Sequence, residues 1–519
     1  MGDPKPGTFP IRCAGMDVGS NAMRLAIAEF KSPTRYRILE RKRIPVRLGE
    51  SVFKTSRIAP ETLDLALEAF HDFRETMKEN GVVLHRAVAT SATREAKNRS
   101  TFLERVHEET GIDLEMIPGT EEARLVALGV RAKMKLRGTS LILDVGGGSS
   151  ELALVQKGEI LLVESHNLGT VRLLEQLGEA SKSKQDSLRI LRETVRASRF
   201  PLLESLKRHR VNQLIGTGGN IEALVSLDSR DANKDDSVRK PTAILLSKLH
   251  RTLEAMAQLT PEERAKKHGL RPDRADVIVP AGVIFEHVAT RTRVRQIIVP
   301  FVGLVDGVLL DLARAAGASG KKELESSQTL NAARALVRKY DTDPKHSRHV
   351  AELALSLFDQ LKSVHELGKR DRLLLEIAGL LHEVGNFISP NGHHRHAYYI
   401  VSETPILGLT DEEQHVVACV ARYHRKAPPD VSHECYAELN SKAQDRVRGL
   451  AAILRLADAL DHDHRQRIRT VSAKVKDSEL VLKAKTRGDV TLDEWSVSEK
   501  GGDLFKNEFN LKPALKTHA

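Results

Sequence analysis

Short apolar segments alternate with amphipathic ones over the first 156 residues of the chain. Residues 15–18 are predicted to form a buried strand, with residues 22–30 as its hairpin partner. Residues 60–80 are predicted to form a helix, because apolar side chains recur there at helical spacing and Pro60 suits a first turn. This alternation is typical of an α/β fold. Further strands are predicted at residues 82–90, 112–117 and 140–144, and further helices at 101–110 and 120–134, the last capped by Thr120.

One segment of this region is repeated. The residues from Asp17 to Ile27 align without a gap on those from Asp144 to Leu154, 127 positions further along the chain. Both copies run from an apolar strand through an Asp-Val-Gly turn into an alternating strand, so chance similarity of two hairpins is the weaker explanation. We therefore predict two like domains that face each other across a cleft, with both glycine turns at that cleft.

The character of the chain changes after residue 315. Residues 157–315 continue the α/β pattern, residues 315–327 form a polar predicted linker, and long helical periods begin near residue 347. Twelve of the 21 histidines lie between Asp343 and His464, in this helical part. From Ile468 onward the pattern alternates, and residues 490–497 are also predicted to form a short strand. The predicted domains are 1–130, 131–315, an all-α domain at 320–465, and a small α+β element at 466–519.

Composition narrows the class of protein. The 519 residues carry a formal net charge of +11, and only 4% of them are aromatic. So few aromatic rings argue against a protein that stacks the bases of single-stranded nucleic acid. The basic character favours an anionic ligand, although a solvated basic surface gives the same charge. The three cysteines do not have the spacing of metal ligands. There is no apolar run at the N-terminus, and no apolar run is long enough to cross a bilayer. These features predict a soluble cytoplasmic protein without membrane or nucleic-acid partners.

Three glycine-rich turns each follow a predicted strand. Such turns expose backbone N–H groups that bind phosphate, and three of them are a stronger signal than any one alone. A cleft lined from both sides by such turns accommodates neighbouring phosphates of a chain. The turns are Gly19-Ser20-Asn21, Gly146-Gly147-Gly148-Ser149 and Gly216-Thr217-Gly218-Gly219.

Carboxylates adjoin two of these turns. Asp17 and Asp144 end the two repeated strands, where a carboxylate is a natural ligand of Mg²⁺. A turn cap is an equally good explanation for Asp17. Glu151 follows the third glycine of its turn and is predicted either to face the same ion or to face solvent from its strand.

The start of a predicted helix supplies a candidate base. Glu121 and Glu122 fall in its first turn, where the helix dipole favours the ionised form that a base needs. Ordinary helix capping is the alternative for this pair. Arg94 follows a predicted strand and is a candidate contact for an anionic substrate, with a surface salt bridge as its alternative.

Taken together, these segments resemble the exopolyphosphatase and guanosine pentaphosphate phosphatase family, part of the actin-like ATPase superfamily. The resemblance covers about residues 10–315 in matching order and implies two actin-like, ribonuclease-H-like α/β domains. One departure is Asn220, where the family pattern has a small hydroxyl residue. The segments that carry the resemblance are 17–21, 89–94, 119–124, 144–149, 216–219 and 303–307.

The resemblance also implies residue roles. Glu122 would be the base that activates water, and Asp144 and Glu151 would hold Mg²⁺, with Mn²⁺ and K⁺ as further candidate ions. The mechanism implied is in-line attack of that water on a terminal phosphoryl group. The residues that would line the phosphate channel are Asp17, Gly19, Ser20, Asn21, Arg94, Gly146, Gly147, Gly148, Ser149, Gly218 and Gly219.

The helical part resembles an HD-domain metal phosphohydrolase, as in the long members of the same family. His346, His382 and Asp458 have the matching layout, but Glu383 stands where an Asp would hold the metal. Because the longer side chain displaces the carboxylate, we predict an HD-like fold that has lost catalysis. Its basic clusters, at residues 393–396 and 423–426, would extend an anion channel or pair at a domain interface. A helical bundle with structural histidines is an equal alternative.

The leading hypothesis is a Mg²⁺-dependent exopolyphosphatase that removes terminal phosphate processively from inorganic polyphosphate. Its rival is a guanosine pentaphosphate phosphohydrolase, and one enzyme can act on both substrates. An ATP-driven kinase or chaperone of the same superfamily is disfavoured by the Glu121–Glu122 pair and the HD-like domain. A non-enzymatic sensor is disfavoured by Glu122 and Asp144, and an activity in the HD-like domain is a further alternative. The resemblance also favours a homodimer.

Overall fold

The computed structural model describes residues 9–177, 184–206, 210–227, 239–317 and 329–518, apart from positions 331, 335, 338, 341, 342, 405 and 407. The chain forms two compact units, Met1–Lys321 and Lys322–Ala519. The predicted linker at 315–327 lies mostly outside the described residues. Among the described residues, no helix has both the length and the apolar content needed to cross a bilayer.

The first unit begins with a five-stranded sheet in the order β3-β2-β1-β4-β5. Strands β1 to β3 are antiparallel, and β1, β4 and β5 are parallel. The predicted hairpin and helix are present, but β3 and α1 were not anticipated, since β3 is mostly polar and half-exposed. The elements are β1 Ile11–Val18, β2 Met23–Ser32, β3 Arg35–Ile44, α1 Leu48–Thr55, α2 Pro60–Glu79, β4 Leu84–Ala89, α3 Ser91–Glu95, α4 Arg99–Thr110, β5 Leu114–Met116 and α5 Gly119–Lys133.

The second half of this unit repeats that plan. Its sheet has the order β10-β11-β9-β6-β7-β8, so β8-β7-β6-β9-β11 corresponds to β3-β2-β1-β4-β5. The repeat in the sequence is therefore a repeat in topology. The elements are β6 Thr139–Val145, β7 Ser150–Gln156, β8 Glu159–His166, α6 Thr170–Leu177, α7 Lys184–Ala197, α8 Pro201–Ser205, β9 Gln213–Thr217, α9 Gly219–Ser226, β10 Thr242–Leu245, α10 Leu246–Ala257, α11 Pro261–His268, α12 Pro272–Ala275, α13 Ile278–Thr292, β11 Gln296–Val299 and α14 Leu304–Gly317.

Two helices connect the halves. Helix α14 packs against β1 and β2 of the first sheet, and an apolar cluster that includes Phe30, Leu128 and Leu309 fills that contact. Helices α5 and α14 cross closely, since a Cβ placed on Gly307 would lie 2.0 Å from the Leu125 carbonyl oxygen. Helix α5 also packs against β7 and β8. The N-terminus of α5 is therefore held by both halves of the unit.

The second unit is a helical bundle with a small sheet. One continuous core joins its helices to the three-stranded sheet β12-β13-β14. The elements are α15 Pro344–Gln360, α16 Lys362–His365, α17 Lys369–Leu381, a 3₁₀ turn at Val384–Phe387, α18 His393–Glu403, α19 Asp411–Arg422, α20 Glu434–Ala437, α21 Ser441–Ala459, β12 Ile468–Lys476, β13 Glu479–Thr486, α22 Thr491–Ser496, a π turn at Val497–Gly501, α23 Gly502–Phe509 and β14 Lys512–His518.

Two local predictions are wrong. Thr120 does not cap α5, because the helix begins at Gly119 and the extended Pro118 is the N-cap, without a side-chain hydrogen bond. Residues 490–497 are not a strand, because Thr491–Ser496 is helical, with Asp493 buried and Trp495 half-exposed. A segment this short fits both the helical period and the alternation of a strand, so the assignment from alternation alone was wrong.

Candidate active site

The two repeated hairpins bring equivalent positions to one site. Asp17 lies opposite Arg24 in the β1–β2 register, and Asp144 lies opposite Glu151 in the β6–β7 register. Arg24 and Glu151 are themselves 127 positions apart, the offset of the repeat. The equivalent position therefore carries a basic side chain, Arg24, in the first hairpin and an acidic side chain, Glu151, in the second. Sequence reasoning overlooked Arg24, although the repeat alignment marks its position.

Asp17 and Asp144 are held by different partners. Arg24 Nη1 donates to Asp17 Oδ2 at 2.8 Å, and Thr217 Oγ1 donates to Asp144 Oδ1 at 2.5 Å. Burial raises the pKa of both carboxyl groups, and these two contacts oppose that rise. Neither aspartate acts as a simple turn cap.

Glu151 points inward from its strand. It is 2% exposed, so the solvent-facing alternative does not hold. Its Oε1 accepts a hydrogen bond of 2.9 Å from Ser165 Oγ, and a Cβ on Gly119, at the start of α5, would lie 3.5 Å from that same oxygen. Burial raises the pKa of Glu151, and the charges of Glu122 and Asp144 raise it further.

The neighbours Glu121 and Glu122 have separate roles. Glu121 accepts hydrogen bonds of 2.6 and 2.7 Å from Arg124 and also lies 3.6 Å from Arg86. Glu122 is buried and its Oε1 accepts from Arg94 Nη1. Glu122 interacts electrostatically with Asp17 and Asp144. Only the second residue of the pair belongs to the carboxylate site.

Arg94 forms an ion pair with Glu122, the candidate base. The same Nη1 that contacts Glu122 also donates to the Ile117 carbonyl oxygen at 2.5 Å. Burial raises the pKa of Glu122 to about 7, Arg94 opposes that rise, and Asp17 and Asp144 add to it. A pKa near the working pH suits a general base. The surface salt bridge considered for Arg94 is instead an ion pair with a buried partner.

The glycine turns of the two halves touch. A Cβ on Gly147 would lie 2.9 Å from Ser20 Cβ, and a Cβ on Gly148 would lie 3.0 Å from Ser20 Oγ. Asn21 Nδ2 donates to the Asp273 carbonyl oxygen at 2.9 Å, and Asn21 Oδ1 is buried without a hydrogen-bond partner among the described residues. Side chains larger than glycine would separate the two turns.

The third turn lies beside Asp144. Gly218 has φ +94°, a conformation that favours glycine, and a Cβ there would lie 3.4 Å from Asp144 Oδ1. On the next residue, Gly219, a Cβ would lie 2.3 Å from Arg274 Nη2. Asn220, which departs from the family pattern, is the second residue of α9. The turns predicted from the sequence therefore converge on the carboxylates.

Further guanidinium groups lie near the turns, and sequence reasoning missed them. Burial lowers the pKa of Arg274 to about 10, and the charges of Arg271, Arg43 and Arg24 lower it further. Arg43 forms an ion pair with Asp273. No local motif marks these arginines, because strand β3 and helix α12 bring them together from distant parts of the chain.

The carboxylates fit a divalent cation by charge. Asp17, Glu122, Asp144 and Glu151 are all buried, and two of them pair directly with guanidinium groups, those of Arg24 and Arg94. Asp144 and Glu151 form no ion pair with a guanidinium group among the described residues, and all-oxygen ligands suit Mg²⁺. Within the described residues, groups of three ligand atoms lying within 4.8 Å of one another occur only in the second unit.

The second unit contains two such groups. His346, His382 and Asp458 form the first, as the sequence layout predicts. Glu383 lies outside it and forms the second group with His393 and His424. The carboxylate of Glu383 therefore lies with two histidines other than those of the first group.

Paired glycine turns, buried carboxylates and neighbouring arginines on two like α/β halves define a class of enzymes that act on phosphate groups. Comparison with known proteins identifies the family within that class. The model of the Ppx/GppA phosphatase family matches residues 27–316, and that of Ppx/GppA phosphatase, domain III, matches residues 330–498. The chain belongs to this family and is a hydrolase acting on phosphoric anhydrides.

Individual relatives agree with this assignment. A guanosine-5'-triphosphate,3'-diphosphate pyrophosphatase of Pseudoalteromonas atlantica is 24% identical over 450 residues, covering 86% of this chain and 85% of its own. The crystal structure of an exopolyphosphatase from Cytophaga hutchinsonii is 28% identical, with a TM-score of 0.56, and covers 59% of this chain and 100% of its own. An Aquifex aeolicus member of the Ppx/GppA family is 27% identical, with a TM-score of 0.52, and covers 60% of this chain and 99% of its own.

Proposed function

We propose that this phosphatase is an exopolyphosphatase that removes terminal phosphate groups processively from inorganic polyphosphate. The observation that carries the proposal is Glu122, buried at the N-terminus of α5 and facing Asp144 electrostatically. Its neighbour Glu121 is engaged by Arg124. Glu122, which interacts with Asp144, is therefore the candidate base of this helix.

The arginines support a substrate with several phosphates. The charges of Arg271, Arg43 and Arg24 each lower the pKa of Arg274. A polyanion would stabilise the charged form of Arg274 by supplying negative charge beside it. The similarity to the Cytophaga hutchinsonii exopolyphosphatase agrees with a phosphate chain as substrate.

The reaction proposed is hydrolysis of one phosphoanhydride bond. Glu122 accepts a proton from water, the water oxygen bonds to the terminal phosphorus, and the bond from that phosphorus to the bridging oxygen breaks. Inorganic phosphate and a chain shorter by one phosphate are released. The Gly146 N–H donates to the Ser149 carbonyl oxygen at 3.0 Å and so closes its turn. The other backbone N–H groups at Gly146–Ser149 and those at Gly218–Gly219, with Ser20 and Asn21, would bind the equatorial phosphate oxygens and stabilise their charge.

Members of this family depend on divalent metal ions, and we propose Mg²⁺ for this chain. Asp144 and Glu151 would hold it, and when bound it supplies positive charge that neutralises phosphate oxygens. Mn²⁺ and K⁺ are further candidates. A homodimer and a cytoplasmic location remain predictions.

Guanosine pentaphosphate is the second candidate substrate. The similarity to the Pseudoalteromonas atlantica pyrophosphatase covers 86% of this chain and extends into both units. Removal of the 5'-terminal phosphate of guanosine pentaphosphate requires the same base and the same attack by water. The two candidates differ only in what lies beyond the reacting phosphates.

The test is phosphate release by wild type, Glu122→Ala and Glu122→Gln, with Mg²⁺, from long-chain polyphosphate and from guanosine pentaphosphate. We expect faster turnover of polyphosphate and a loss of at least about 100-fold in both variants, typical of a lost general base. Glu121→Gln is the matched control, because it changes the adjacent residue of the same helix, and it should retain activity. Preference for the nucleotide would make the second candidate correct. Undiminished release by the Glu122 variants would overturn the role of this residue.

A further inference from the structure

A groove of about 1120 Å³ lies on the second half of the first unit. Helices α7, α10 and α13, which pack against one another, supply most of its lining. We call it the basic groove, because four arginines from three separate parts of the chain line it. They are Arg192, Arg196, Arg251 and Arg295.

The basic groove lies at the end of the sheet opposite the carboxylate site. Leu245, in its lining, pairs with Gln296 at the start of β11. Asp144 pairs with Thr217 near the far ends of β6 and β9. Because β6, β9 and β11 run parallel, the start of β11 and the end of β6 lie at opposite edges of the sheet. The groove is therefore separate from the candidate active site.

The apolar lining of the basic groove is aliphatic and open to solvent. Leu245 is 54% exposed, the highest value for a large apolar side chain among the described residues of the first unit. Leu246 and Val294, also in the lining, are partly buried. Apolar side chains exposed together within a polar rim mark an interaction surface. The only rings in the described lining are those of His250 and His287, so a nucleobase would have little to stack on.

The carboxylates at the basic groove are paired with arginines. Both side-chain oxygens of Glu286 accept hydrogen bonds from Arg192, at 2.9 and 3.1 Å. Glu254 accepts from the third nitrogen of the same guanidinium at 2.6 Å. Arg196 pairs with Glu193, one turn earlier on α7, at 2.7 Å. These acidic groups therefore leave little negative charge to neutralise the remaining arginines.

Three guanidinium groups in or beside the basic groove form no ion pair among the described residues. They are Arg251 on α10, Arg291 on α13 and Arg295 before β11. Burial lowers the pKa of His287 in the groove, and the charges of Arg291 and Arg196 lower it further. The groove therefore combines an aliphatic surface with positive charge that is not matched within the unit.

We propose that the basic groove binds an acidic amphipathic helix of a partner protein. Aliphatic side chains spaced i, i+3, i+4 and i+7 on that helix would pack against Leu245, Leu246 and Val294. Carboxylates on either side of that stripe would pair with Arg251 and Arg295. The volume of the groove exceeds the roughly 300–1,000 Å³ of most small-molecule sites, which favours a peptide segment. The net charge of +11 on this chain favours an acidic partner over a second copy.

The test uses the full chain and a synthetic helix-forming peptide with a fluorescent label. The peptide carries leucines at i, i+3, i+4 and i+7, with glutamates on both sides of that face. Fluorescence anisotropy should show saturable binding that weakens as the salt concentration rises. A scrambled peptide of the same composition should bind at least about tenfold more weakly, because it cannot present one apolar face.

Variants locate the binding to the groove. Arg251→Glu and Arg295→Glu, combined in one protein, should weaken binding of the ordered peptide at least about tenfold, because like charges then face each other. Leu245→Glu should weaken it as well. Arg57→Glu is the matched control, because Arg57 is an exposed arginine in the other half of the unit and forms no ion pair among the described residues. It should bind the peptide as wild type does.

Three results would overturn the proposal. The first is equal affinity of the wild-type protein for the ordered and scrambled peptides, which needs no variant. The second is unchanged affinity in the double arginine variant. The third is a dimer that Leu245→Glu converts to a monomer in sedimentation velocity, because the occupant would then be a second copy of this chain. Phosphate release in the absence of peptide should be unchanged in these variants, so the proposed function is tested separately.

Discussion

The electrostatic setting of Glu122 depends on a few named neighbours. Burial raises its pKa to about 7, and the guanidinium of Arg94 acts in the opposite direction. The raised pKa also affects stability. The unfolded chain loses this proton near its ordinary pKa of 4.5, whereas the folded chain retains it until about 7. Between these values the folded state binds more protons, so raising the pH lowers the free energy of unfolding.

Replacing Arg94 should shift the pH dependence of catalysis. In Arg94→Gln the opposing positive charge is gone, so the pKa of Glu122 rises. We expect the rising limb of kcat/KM to move by about 1–3 pH units to higher pH, as for a carboxylate that loses an arginine partner. The measurement is the pH profile of polyphosphate hydrolysis. Arg105→Gln on α4 serves as the control, and an unmoved limb in Arg94→Gln would contradict the assignment of Glu122 as the base.

At the scale of elements, the site depends on the crossing of α5 and α14. Helix α5 carries Glu122 at its first turn, and α14 fixes its position through close backbone contact at Gly307. An ion-pair group supports the same crossing, because Asp311 of α14 accepts from Arg124 and Arg86 at 3.0 Å. The helix that carries the base is therefore anchored by two kinds of contact.

The two glycines of the 303–307 segment should respond differently to substitution. A Cβ on Gly307 would lie 2.0 Å from the Leu125 carbonyl oxygen, whereas a Cβ on Gly303 has nothing within 4 Å. Gly307→Ala should lower the free energy of unfolding by about 1–3 kcal/mol through overpacking. Gly303→Ala should leave it nearly unchanged. Denaturant melts of both variants test this, and equal stability of the two would show that the helices shift apart freely.

At the scale of the whole molecule, each compact unit has buried cores of its own. Leu143 belongs to a core of the first unit and Leu450 to the core of the second, and both are fully buried. The two units therefore have separate sources of hydrophobic stabilisation.

We expect two thermal unfolding transitions. Leu143→Ala and Leu450→Ala should each cost about 2–5 kcal/mol, and each should move a different transition to lower temperature. Differential scanning calorimetry is the measurement. Leu65→Ala, at a position 50% exposed, should move neither transition. A single transition lowered by both core variants would show that the units unfold together.

The sequence alone determined the class of fold, the repeat and the family. Strand–helix alternation and the Asp-Val-Gly repeat are local patterns, and the structure confirms the α/β halves, the helical region and the small sheet. The carboxylates and glycine turns were visible for the same reason, because each is a short motif at the end of a strand. Their roles in binding and catalysis remain predictions.

Only the tertiary structure decided which side chains meet. Sequence reasoning could not separate Glu121 from Glu122 without the resemblance, since their partners Arg124 and Arg94 are chosen by packing. The arginines around Arg274 were missed because they come from separate elements. Glu383, interpreted as the loss of a metal ligand, lies with His393 and His424 instead. A motif records neighbours along the chain, whereas charge balance and metal ligation depend on distances that folding sets between remote residues.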